Sequence, residues 1–142
     1  MEREFQVSDL LRQHDLKKTP ARLTVLRLLS QSGFAVGFAE LEQALGELAD
    51  KVTLYRLLKS FEDKGIIHKT IDPEGFPKYA LCKDDCGTHR HVDRHIHFSC
   101  TQCKKTSCLP HVSIPTVILP EGYLAEAFQF NISGICKSCA LA

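Results

Sequence analysis

No window of this 142-residue chain approaches the ~18 consecutive apolar residues of a membrane span. The formal net charge is only +1, so no global basic field marks a nucleic-acid binder, and any affinity for DNA must come from local basic residues. No glycine-rich phosphate loop occurs, and no nucleophile sits in a recognisable elbow. A zinc hydrolase would need an open ligand position and a base, and no motif puts Glu74, Glu121 or Glu126 beside the histidines. Enzyme activity is therefore not expected. The opening Met1-Glu2-Arg3-Glu4 lacks the apolar core of a secretory signal, so a reducing, cytoplasmic setting is expected. Internal repeats and low-complexity segments are also lacking.

The chain is rich instead in metal-ligating side chains, with seven Cys and seven His. Cys100-Thr101-Gln102-Cys103 and Cys136-Lys137-Ser138-Cys139 are two Cys-x-x-Cys hooks. A two-residue gap lets both sulfurs turn toward one point, and two such pairs make the four-thiolate tetrahedron that zinc prefers. Two disulfides or a redox dithiol pair are the competing readings. A reducing compartment favours metal, so a structural Zn2+ at Cys100, Cys103, Cys136 and Cys139 is expected.

At 44% hydrophobic and 25% charged, the composition is that of a globular chain. Residues 1–18 read as a short amphipathic helix. Thr19-Pro20 starts a second, with Leu23, Val25, Leu26 and Leu29 turned inward and Gly33 as its stop. Leu41, Ala44, Leu45 and Leu48 fit the i, i+3, i+4, i+7 pattern of a third. Asp50 then caps a fourth, with Leu54, Leu57, Leu58 and Phe61 on one face and Lys51, Thr53, Tyr55, Arg56 and Lys59 on the other. Ile66–Ile71 and Pro77–Cys82 flank the turn Asp72-Pro73-Glu74-Gly75 and predict a hairpin. Helices followed by a hairpin make a winged helix-turn-helix, here over residues 1–82. Residues 83–93 read as a hinge or loop. Residues 94–142 read as a small α/β unit with strands over Arg94–Ser99 and Leu124–Ile132. Prolines 110, 115 and 120 keep any helix between them short. The fold class is α/β in the α+β sense.

Two further constellations follow. Tyr55, Arg56, Thr53 and Lys59 share the exposed face of the fourth helix. Recognition helices present such side chains to bases and phosphates in the major groove. A merely solvated helix face is the alternative. His95 and His97, two apart on a strand, leave the same face and suit a shared metal. With His68 and Cys82 from the hairpin they make a candidate sensing site that draws on both halves of the chain. Imidazole and thiolate together favour zinc over hard cations. A polar sheet face carrying surface histidines is the alternative. Cys108 is a further ligand candidate, and so is His89, which lies with Cys86 and His91 in the 83–93 loop.

The run Val52-Thr53-Leu54-Tyr55-Arg56-Leu57-Leu58, with Phe61-Glu62 and Gly65-Ile66-Ile67, resembles the recognition-helix signature of the ferric uptake regulator family. Thr19-Pro20-Ala21-Arg22 resembles its upstream helix start. His95-x-His97-x-x-Cys100-x-x-Cys103 and Gly134-Ile135-Cys136-x-x-Cys139 resemble its dimerisation-domain motifs. The resemblance covers nearly the whole chain. It implies a homodimeric, metal-dependent repressor that binds a palindromic double-stranded DNA operator. By the same resemblance Tyr55 would contact a base, Arg56 and Arg22 would contact DNA, and Lys17 or Lys18 would lie near the minor groove. His68 and Cys82 are most similar to features of the family's zinc-uptake regulators, so the regulatory metal is expected to be Zn2+. The alternatives are Fe2+ or Mn2+ in an iron or peroxide sensor, and a zinc-binding module without DNA. Phe34-Ala35-Val36-Gly37 holds no histidine where iron and peroxide sensors usually carry one. Cys108 stands where the family often has a carboxylate, and could replace one of the histidines. Arg94, Ile96, Pro115 and Ile132 leave the family's additional site without ligands.

Overall fold

The computed structural model describes residues 2–81, 96–109, 112–126 and 129–142. The order of elements follows from local chemistry. Helix α1 (Glu2–Gln13) ends before Asp15, whose positive φ of 55° turns the chain. The Thr19 side chain accepts the Arg22 N–H, and Pro20 occupies the first turn of α2 (Pro20–Gln31). Ser32, not Gly33, closes α2, its N–H donating to Leu28 O. A short strand β1 (Val36–Gly37), not expected from the sequence, precedes α3 (Phe38–Leu45).

The third helix is shorter than its apolar pattern suggested. Gly46 takes φ 54° and the chain tightens into a 3₁₀ turn over Gly46–Leu48, so Leu48 rotates out of register and is exposed. Asp50 then accepts the Thr53 N–H at 2.7 Å and starts α4 (Lys51–Asp63). That bond holds the Asp50 carboxyl below the usual carboxylate range.

Strands β2 (Ile67–Ile71) and β3 (Pro77–Leu81) form the hairpin, and β1 adds on the far side of β3 to give the antiparallel order β1-β3-β2. The turn is locked by Asp72, whose carboxylate accepts the Glu74 and Phe76 N–H groups. The helices and this sheet close over one apolar core, in which Leu11, Leu26, Leu41, Leu54 and Phe61 are fully buried.

The second sheet has the order β5-β4-β6. Strand β4 (Ile96–Cys100) pairs antiparallel with β5 (Thr106–Leu109) and parallel with β6 (Phe130–Gly134). Strand β5 is an addition to the sequence-based expectation. Strand β6 begins later than the expected Leu124 start, because its register is set by β4, which places Phe130 opposite Ile96. Described residues 112–126 hold neither helix nor strand, so the short helix allowed there is not formed. A final turn, α5 (Lys137–Ala140), follows β6.

Hydrogen bonds join the two sheet regions. The Ala35 N–H donates to Thr106 O at 2.7 Å, Lys78 Nζ donates to Lys104 O at 2.6 Å, and Thr70 Oγ1 donates to Asn131 Oδ1 at 3.3 Å. Lys104, at φ 66° just after the first Cys-x-x-Cys, also pairs with Glu74 of the wing turn at 3.3 Å.

Candidate metal centres and nucleic-acid interface

The first cluster forms where β4 ends. Cys100 is its last residue, Cys103 follows in the reversal toward β5, and Cys136 and Cys139 flank the start and body of α5. The four sulfurs lie within 4.8 Å of one another. Cys103 Sγ and Cys136 Sγ are 3.8 Å apart, too far for a disulfide. That separation equals the edge of a tetrahedron with metal–sulfur bonds of ~2.3 Å. The N–H groups of Cys103 and Cys136 both donate to Cys100 Sγ at 3.4 Å and draw its thiol down to about 6. Cys139 is pushed up to about 12, first by its hydrogen bond to Cys136 and then by burial. Peptide N–H groups thus supply the outer contacts that suit a thiolate site. A groove of about 500 Å³, bordered by Phe34, Phe98, Cys103 and Ile135, runs beside the cluster and offers a path for an ion.

The second cluster spans the two sheets. His68 comes from β2, His97 from β4 and Cys108 from β5. Their ligand atoms also lie within 4.8 Å of one another. Both imidazoles are only 4% exposed, and the rings meet edge to face at 5.5 Å. Cys108 is brought in by register, since it sits directly across from His97 in the β4–β5 ladder. Two imidazoles and a thiolate form a borderline-soft donor set that fits zinc. Of the expected sensing ligands, His68 and His97 therefore converge, and Cys108 joins them. Cys82, His95 and His89 lie outside the described residues.

The third feature is the exposed side of α4. Lys51, Val52, Thr53, Tyr55, Arg56 and Lys59 are all exposed, opposite the buried Leu54, Leu57, Leu58 and Phe61. Lys59 pairs with Asp63 at 3.1 Å, which raises its pKa and offsets part of its charge locally. Tyr55 stacks on Phe38 of α3. Lys17 and Lys18 are exposed between α1 and α2, and Arg22 donates from its guanidinium to Lys17 O at 2.8 Å. Phe38 is the residue beside this exposed face that sequence reasoning passed over. It is an aromatic at the N-terminus of a helix with no charge or hydrogen-bonding group, and nothing in the sequence pattern paired it with Tyr55.

Comparison with known proteins is consistent across sequence and structure. Residues 13–118 match the model of the ferric uptake regulator family. The chain is 29% identical to the zinc uptake regulation protein of Escherichia coli (strain K12), over 94% of this chain and 79% of that protein. It is 27% identical to the ferric uptake regulation protein of Staphylococcus aureus (strain COL), over 92% and 93% of the two chains. Among solved structures, a zinc uptake regulator complexed with zinc and DNA superposes with a TM-score of 0.73 at 23% identity, covering 99% of this chain and 94% of that one.

Proposed function

This chain belongs to the ferric uptake regulator family, and from that premise we propose that it is a zinc-responsive, DNA-binding transcriptional repressor acting as a homodimer in the cytoplasm. In this reading residues 1–82 are the DNA-binding unit, 83–93 the hinge, and 94–142 the dimerisation and metal-binding unit. Helix α4 enters the major groove, with Tyr55 and Thr53 at base edges and Arg56, Lys59 and Arg22 at phosphates. Lys17 and Lys18 approach the adjacent minor groove. Two such units in a symmetric dimer match a palindromic operator. The exposed Ile118, Tyr123 and Leu124 give the second unit an apolar surface suited to a second copy.

The observation that supports the sensing role most directly is the convergence of His68, His97 and Cys108 from two different sheets. An ion there would be held by β2 of the DNA-binding unit and by β4 and β5 of the other unit. It would therefore bind more tightly when the two are docked, and a metal can shift a conformational equilibrium only by such a difference. Cys82 and His95 are the candidates to complete the coordination. The four-thiolate hook belongs wholly to the second unit, has no open position, and serves structure. The relatives named for zinc uptake regulation, and the thiolate among the sensing ligands, favour zinc over iron or manganese.

The test is a metal count combined with DNA binding at buffered free zinc, using duplexes selected from a randomised pool. Wild type is expected to hold two zincs per protomer. His97→Ala with Cys108→Ser should hold one and should lose at least ~10-fold in zinc-dependent affinity, the scale of ~1.4 kcal/mol. An intact zinc response in that variant sinks the site. Fe(II) or Mn(II) outcompeting Zn(II) would reassign the sensed metal. In the same assay Arg56→Ala should weaken binding and reduce the salt slope by ~1. An unchanged slope removes Arg56 from the phosphate contacts.

A further inference from the structure

Helices α3 and α4 touch through an aromatic pair. The Phe38 and Tyr55 rings lie with centroids 4.3 Å apart and planes 24° from parallel. Phe38 is the first residue of α3, and it packs against the apolar core. Tyr55 lies one turn into α4, past the Asp50 cap, and is 52% exposed. One part of its ring is therefore covered by an anchored neighbour, while the rest faces solvent.

An exposed tyrosine on a helix ordinarily exchanges between staggered side-chain orientations. A stacked partner seated on the core restricts that exchange, and such aromatic pairs typically shift populations by about 2- to 10-fold. Phe38 has no charge and no hydrogen-bonding group, so it adds nothing to the phosphate attraction that drives non-specific binding. At this surface its effect falls on the orientation of Tyr55. A phenol can touch a thymine methyl with its ring or bond a base edge with its hydroxyl, and either contact depends on where the ring is held.

We infer that Phe38 is a positioning residue for sequence discrimination: by stacking on Tyr55 it presents that ring, in one orientation, to a base edge of the operator. This rests on the reading of α4 as the recognition helix. It extends that reading to a residue outside the helix and predicts an effect on specificity apart from general affinity.

The experiment is selection from a randomised duplex pool by the zinc-loaded protein, followed by titration of the selected duplex and a scrambled one. If wild type selects no sequence, the recognition-helix reading fails, and this inference fails with it. If wild type selects one, Phe38→Ala is expected to narrow the selected-to-scrambled ratio by about 3- to 10-fold. Scrambled-duplex affinity and the salt slope should stay at wild-type values. Phe38→Tyr should restore the ratio. Phe38→Leu keeps an apolar contact with the core but removes the flat face, so it should narrow the ratio while melting like wild type. In a Tyr55→Ala background Phe38→Leu should have no further effect. The inference is overturned if Phe38→Leu leaves the ratio unchanged, weakens both duplexes equally, or keeps its full effect without Tyr55.

Discussion

The two sheets are stabilised by different chemistry. Around β1-β3-β2 the interior is apolar: Leu26, Leu41, Leu54, Phe61 and Ile66 are almost wholly excluded from water. Around β5-β4-β6 the described buried residues are Ile96, His97, Ser99, Cys100 and Thr106. Of these, Ser99 and Thr106 join their hydroxyls at 3.0 Å. Strand β6 is mostly exposed or half-buried. Units of a few tens of residues bury too little surface to fold on hydrophobic burial alone and commonly recruit metals. The second sheet fits that case, with the sulfurs of Cys100, Cys103, Cys136 and Cys139 gathered at the end of β4. With zinc in the hook, as proposed, the metal's binding energy becomes folding energy and takes the part of a core. The His68–His97–Cys108 cluster sits on the border between the two regimes.

The sharpest way to break this contrast is to remove the hook. Cys103→Ser with Cys139→Ser should release one metal and destabilise the second sheet by on the order of 10 kcal/mol, the scale of structural zinc. Amide exchange should then rise across residues 96–142, while α2 and α4 keep their protection. Equal loss in both regions would mean that the two sheets share one cooperative core. The complementary change is Phe61→Ala, which opens a cavity at a fully buried site in the first region. It should cost about 3–5 kcal/mol in denaturant unfolding, with the metal count unaltered. A loss of hook metal in that variant would erase the distinction. The smallest effect should come from the contact between regions. Lys104→Ala removes an exposed ion pair with Glu74 but leaves the carbonyl that accepts from Lys78. It should change stability by under about 1 kcal/mol, read as a small midpoint shift with an unchanged m-value. A larger cost would make the wing turn an integral part of the second sheet.

What could be read from the chain before its structure divides along the same line. The helical periods of Leu54–Leu57–Leu58–Phe61, the caps Thr19 and Asp50, and the Asp72–Gly75 turn are local signals, and they placed the first region closely. The hooks were legible because Cys-x-x-Cys spacing is itself local. Leu48 went astray because the Gly46 turn breaks the helical period. Strand β6 was misplaced because its ends are set by a parallel partner more than thirty residues upstream. Cys108 was only a candidate because Thr106-Ser107-Cys108-Leu109 lacks clean alternation. A signal was nonetheless present. The Cys-x-x-Cys spacing at Cys100–Cys103 suits a chain reversal, and an antiparallel return that pairs Ser99 with Thr106 must put Cys108 opposite His97.

The parallel pairing of β4 with β6 also has a consequence in time. Ile96 meets Phe130, and the hook needs Cys139, so neither can form until nearly the whole chain is available. Such long closures are slow compared with local helix contacts. The first sheet and its helices can therefore fold early during synthesis, while the second sheet waits for its last residues.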